Sequence, residues 1–181
     1  MINFSKSRDI QYSSYFHQLD IVFLNYSLFP FALFFTPKLL TIFISIIFLC
    51  FNDKPFVGGI YIISILTCVA FTLTMKKMTK RKRPALLAKT RKSSFFRKKE
   101  SNNAMPSGDS MQAANFIFFL MKYFYENEFG YSFYFFACLF VVFVCLSRVY
   151  FMCHYFTDTL VGSTIGFIIP LLISEIFFKI A

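Results

Sequence analysis

From residue 19 onward the chain is a succession of apolar runs, at about residues 19–35, 38–52, 56–75, 111–125, 132–149 and 157–178. Several approach the ~20 residues that a helix needs to cross a hydrocarbon core. With 57% hydrophobic and 22% aromatic residues, including 29 Phe and no Trp, the usage departs from that of a soluble domain. The expected fold class is all-α: a multi-pass transmembrane helical bundle of about six spans, with a polar N-terminal segment at 1–18 and one membrane domain over 19–181. The first two runs leave an alternative open. Pro30 and Pro37 interrupt them and 38–52 is short, so they read as two spans or as one span plus an interfacial helix. No short apolar core with a small-residue cleavage site follows the polar start, so the first span is expected to direct insertion itself.

Charge sets the orientation. Twelve of the 19 basic residues fall between Lys76 and Ser110, in the only long polar connection. The bias of Lys and Arg toward cytoplasmic loops places this connection in the cytosol, and ten cations remain there after Lys76 and Arg83 are set aside. With six spans, the turn from span 5 to span 6 shares that face, while both termini, 52–55 and 126–130 lie on the other. No base-reading element or aromatic platform accompanies the basic run, so nucleic acid is not an expected partner, and anionic membrane lipid is.

The five cysteines (Cys50, Cys68, Cys138, Cys145, Cys153) lie in or beside apolar runs without metal-type spacing and read as small buried hydrophobes. Gly162-x3-Gly166 reads as a close-packing face within the bundle. Ser93 and Ser94, beside basic residues, read as ordinary loop serines, and His17 as a plain polar residue on the face opposite the basic loop.

Ionisable residues at membrane depth are costly and mark function. Three clusters stand out: Lys76 with Arg83-Pro84, then Pro106-Ser107-Gly108-Asp109, then Ser147-Arg148, His154 and Asp158. All three map to one membrane face. Arg offers forked donors that match phosphate oxygens and Lys a movable charge. A helix opening at Ser107-Gly108 would aim its free N–H groups at an oxyanion. His154 supplies a neutral nucleophile, and Asp158, four residues on, could bind one ring nitrogen and leave the other free. Each residue taken alone has a plainer reading: Lys76 and Arg83 as topology signals, Arg148 as a snorkelling side chain, Asp109 and Asp158 as helix N-terminal residues. What favours chemistry is that all fall in register on one face.

That spacing, Lys76-x6-Arg83-Pro84, Pro106-Ser107-Gly108 and Ser147-Arg148-x5-His154-x3-Asp158, resembles the three-part signature of the type 2 phosphatidic acid phosphatase and vanadium haloperoxidase superfamily, in its six-span membrane branch. The likeness covers residues 76–158. It implies that Lys76, Arg83, Arg148, Ser107 and the Gly108 amide bind phosphate, that His154 attacks phosphorus to form a phosphohistidine, and that Asp158 orients it. It implies no metal and no other cofactor.

One position departs from the family. The second motif there ends in a histidine that protonates the leaving group, and here that place holds Asp109. An ordinary Asp titrates near 3.9, about three units too low for a general acid at neutrality. A carboxylate cannot protonate an alkoxide, but a diphosphate expels a phosphate monoester that needs little protonation. Asp109 could then serve as base for the hydrolytic water. The expected substrate is thus a lipid diphosphate such as an isoprenoid diphosphate, in likeness to presqualene and polyisoprenoid diphosphatases, with an endoplasmic reticulum or other endomembrane location in a eukaryote and a cytosol-facing site. The alternatives are a phosphatidic-acid-type monophosphatase and an inactive member serving as a membrane interaction protein. A transporter is disfavoured because no internal repeat is evident.

Overall fold

The computed structural model describes residues 2–35, 39, 55–85, 101–123 and 131–180. Among these residues the only regular structure is helical. The elements are α1 (Ile2–Gln18), α2 (Val22–Ser27), α3 (Phe29–Leu33), α4 (Pro55–Thr79), α5 (Gly108–Tyr123), α6 (Tyr131–Tyr150) and α7 (Phe156–Ile180). Most of the expected run at 38–52, the serines 93 and 94 and most of the basic connection lie outside the described residues. Among the described residues, three helices are long and apolar enough to cross a membrane, over Phe56–Thr79, Ser132–Tyr150 and Phe156–Phe177.

Local chemistry explains where these helices begin and end. α4 opens on Pro55, whose missing N–H costs nothing at a helix start, and closes on Lys76 and Lys77, cations at the negative end of the helix dipole. Lys80 then turns left-handed at φ 47° and ends the run. Ser107 caps α5, its hydroxyl accepting the Ser110 N–H at 3.4 Å. α6 ends where Met152 adopts φ 58°, which lets Cys153 and His154 both donate their N–H to the Arg148 carbonyl, at 3.0 and 3.2 Å.

α5 is the central element and packs against α4, α6 and α7. Its approach to α7 is backbone to backbone: a Cβ at Gly162 would collide with the Ser107 carbonyl, and one at Gly166 with the Met111 carbonyl and the Ala114 methyl. The glycine pair therefore packs the bundle, as expected from its spacing. Toward α4 the contact is polar at membrane depth. Ser64 donates to Asn115 Oδ1 at 2.6 Å, Asn115 donates to Gln112 Oε1 at 3.5 Å, and Gln112 donates to the Ile65 carbonyl at 3.2 Å.

The N-terminal third departs from the expected topology. α4 and α6 deliver Lys76 and Arg148 to the end of the bundle where α5 and α7 begin, and α1 docks at that same end, with Asp9, Ser13 and His17 buried against the start of α7. From there the chain descends along α6. Asn25 accepts the Tyr150 hydroxyl at 2.7 Å, Phe31 stacks near Phe143, and Phe34 meets Phe140 edge-on. α4 starts at the opposite end of the bundle. The N-terminus and the start of α7 thus share one end, in place of the two termini sharing the far one. The physical reason is that α1 has a polar face matched to the open N-terminus of α7, which composition alone does not reveal.

Candidate active site

Three segment ends build the site: the exit of α4, the entrance of α5, and the five-residue connection from α6 to α7. His154 sits on that connection, 1% exposed. Arg83 Nη1 lies 3.1 Å from its Nε2 and donates to the Cys153 carbonyl at 2.7 Å. A guanidinium carries no acceptor, so where this contact is a hydrogen bond Nε2 holds the lone pair and the ring proton is on Nδ1. Burial, and then the cations of Arg83, Arg148 and Lys76, hold the imidazole well below its ordinary titration range. The ring is therefore neutral at physiological pH, with Nε2 presented to a cluster of positive charge.

Asn102 organises two of those cations. Its side-chain oxygen accepts from Lys76 Nζ at 3.3 Å and from Arg83 Nη2, while its carbonyl accepts from Arg83 Nε at 2.8 Å. Asn103 ties the same segment to α4 by donating to the Lys76 carbonyl at 2.7 Å. Ser107 is fully buried, and its N–H reaches the Asp158 carbonyl at 2.9 Å, joining the second motif to the third. Gly108 opens α5. A Cβ there would meet the Thr72 methyl at 3.4 Å, so the neighbouring helix does not itself demand glycine.

The two aspartates differ. Asp158 is wholly buried: Oδ2 accepts the Tyr155 N–H at 2.9 Å, Oδ1 accepts from Arg81 at 2.7 Å, and Oδ2 stands 3.8 Å from His154 Nδ1. That last separation exceeds a hydrogen bond, so Asp158 faces the imidazole as a nearby charge rather than as the direct partner the i, i+4 spacing suggested. Asp109 is partly exposed at the mouth and pairs through Oδ2 with Arg148 Nη1 at 3.0 Å. All of the expected site residues thus gather at one end of the bundle.

Several contributors were not legible beforehand. Arg81 reads in the sequence as one more cation of the basic run, yet it bridges Asp9 and Asp158. His17, expected on the opposite face, donates through Nε2 to the His154 carbonyl at 3.3 Å. Their signal was present: Asp9, Ser13 and His17 recur every four residues, a polar stripe along one helix face. Among the described residues, no group of three or more His, Cys, Asp or Glu side chains is placed to hold a metal ion.

Residues 57–181 match the PAP2 superfamily. In three dimensions the chain is similar to the crystal structure of a transmembrane PAP2-type phosphatidylglycerolphosphate phosphatase from Bacillus subtilis, with TM-score 0.80 and 24% identity over 99% of this chain and 89% of that one. It is also similar to LpxE of Aquifex aeolicus, with TM-score 0.70 and 17% identity over 91% and 93% of the two chains. At these identities the likeness shows a shared fold. No curated protein matches the sequence.

Proposed function

Because the chain belongs to the PAP2 superfamily, we propose that it is an integral-membrane phosphatase that removes the terminal phosphate of a lipid diphosphate, an isoprenoid diphosphate being the class in view. The observation that carries this reading is the 3.1 Å approach of Arg83 to His154 Nε2, beside Lys76 and Arg148. It leaves a neutral, lone-pair nitrogen facing positive charge, where a phosphorus atom would be drawn in and activated.

In the proposed reaction Nε2 of His154 attacks the terminal phosphorus. The bond from that phosphorus to the bridging oxygen breaks, and its electron pair leaves with the lipid monophosphate. Water then attacks the phosphohistidine, its proton passes to the Asp109 carboxylate, and Nε2 recovers its lone pair as inorganic phosphate departs. Lys76, Arg83, Arg148, Ser107 and the Gly108 amide bind the phosphate oxygens, and Asp158 stabilises the ring as positive charge develops on it. No metal or cofactor takes part. The site faces the cytosol, in keeping with the basic connection beside it.

A second reading rests on a specific observation. The Asp109–Arg148 pair engages a cation that phosphate would need, and an inactive member acting as a membrane interaction protein would keep such a pair closed. Phosphate release by the purified chain, without added metal, from matched lipid diphosphates and monophosphates decides between them. Release from the diphosphate supports the proposal, preference for the monophosphate favours a phosphatidic-acid-type enzyme, and no release from either favours the interaction protein.

A further inference from the structure

Arg81 lies outside the three motifs, yet its side chain is held more firmly than any cation of the basic run should be. Nη2 pairs with Asp9 Oδ2 on α1. Nη1 donates to Asp158 Oδ1 at 2.7 Å and to Thr157 Oγ1 at 2.6 Å on α7. The guanidinium also lies over the Tyr155 ring, 4.5 Å from its centroid. Two buried carboxylates from different helices thus share one planar fork, an arrangement that a topology signal does not need.

The consequence falls on His154. Asp158 has two oxygens: Arg81 takes Oδ1, and Oδ2 is left between the Tyr155 N–H and His154 Nδ1. Where Arg81 stands decides how far Oδ2 is from the ring, and Nδ1 is buried with no hydrogen-bond partner. Asp9 in turn fixes Arg81. Its Oδ1 accepts the Thr157 N–H at 3.1 Å, and its Oδ2 accepts the Thr157 hydroxyl at 2.6 Å. Ser13 Oγ accepts the Phe156 N–H at 3.1 Å, so α1 occupies the open N-terminus of α7 as well.

We propose that Arg81 is a positioning residue: gripped by Asp9 and stacked on Tyr155, it sets the Asp158 carboxylate and through it the ring of His154. This rests on the reading of His154 as nucleophile. Partners one step behind a catalytic group are worth ~10–100-fold in activity at metal sites, and the same magnitude is expected here.

The test compares Arg81→Met, Arg81→Lys, Asp9→Asn, Ser13→Ala and, as a control, the exposed neighbour Lys82→Met, all in the full chain with a lipid diphosphate. Arg81→Met and Asp9→Asn should lower kcat per folded molecule by ~10–100-fold with KM unchanged, along with a fall in Tm because each leaves a buried charge unpaired. Arg81→Lys should recover part of the loss, and Lys82→Met should lose nothing. Should Arg81→Met fail to fold, Arg81→Lys with Asp9→Asn decides: a double variant no slower than the worse single supports one shared path, and independent, multiplying losses overturn it. Unchanged kcat in Arg81→Met overturns the proposal. So does a Ser13→Ala loss as large, accompanied by a fall in Tm, because that would make the contact mere docking of α1. A wild type that cleaves no substrate would fail the underlying reading, and the proposal with it.

Discussion

Asp109 Oδ2 stands 3.0 Å from Nη1 of Arg148, which ties the start of α5 to the end of α6. A carboxylate engaged in this way is an acceptor, not a proton donor. In the proposed reaction, incoming phosphate must either share Arg148 with Asp109 or displace it.

The first prediction follows from that pair. Wild type should prefer a lipid diphosphate to the matched monophosphate, and Asp109→His should raise monophosphate hydrolysis disproportionately. General acid catalysis is worth ~10²–10⁴-fold, so the ratio of kcat/KM between the two substrates is the measurement. An unchanged ratio would remove the argument for a diphosphate.

His154→Asn should abolish turnover while leaving the protein folded, and wild type quenched during turnover should carry acid-labile phosphate on His154. Phosphate trapped on any other residue contradicts the mechanism. His17→Phe should also slow the reaction, since it removes the donor that holds the His154 carbonyl.

Stability should respond to acid through His154. Its folded pKa is lowered, chiefly by burial, so the unfolded chain takes up a proton below about 6.5 while the folded chain resists it. The fold then loses stability as pH falls through that range. The Tm of wild type should drop more steeply between pH 7 and pH 5 than that of His154→Asn, and parallel curves would refute the neutral, buried imidazole.

Helix packing gives a contrast between glycines. Gly166→Val places carbon into the Met111 carbonyl and should prevent recovery of folded protein. Gly59→Ala meets nothing within 4 Å and removes a helix-weakening glycine, worth about 1 kcal/mol in a helix interior, so its Tm should hold or rise. A recoverable Gly166→Val would show that α5 and α7 can separate.

Topology is open to labelling. A single cysteine at the exposed Tyr12 on α1 and another in the basic connection near Ser93 should react from the same side of the membrane, and a tag following Ala181 from the other. Reaction at Tyr12 and Ser93 from opposite sides would contradict the docking of α1 at the site.

The motif residues were legible only together: taken singly, Lys76 and Arg83 read as topology signals and Arg148 as a snorkelling side chain, and it is their common register with His154 on one face that marks them. Arg81 and Asp9 were not, because each sits among other polar residues, and only tertiary contact separates a gripped arginine from its solvated neighbours. His17 was misplaced by parity. Two spans in the first third would put it on the far face, whereas α1 docks at the end of the bundle that holds the site. Asn102 carries no charge, so nothing in composition distinguished it, yet its position between Lys76 and Arg83 follows from a need to satisfy both donors.

The chain Ser64–Asn115–Gln112–Ile65 lies about 18 Å along α4 from Lys76, at 1.5 Å per residue. Sliding α4 past α5 by one turn, about 5.4 Å, would strand these amide and hydroxyl groups in hydrocarbon, where each unmet group costs several kcal/mol. Only one register is therefore open to the two helices. That register sets the height of Lys76 relative to Ser107, so a bolt set deep in the bilayer fixes the depth at which a headgroup can be gripped above it.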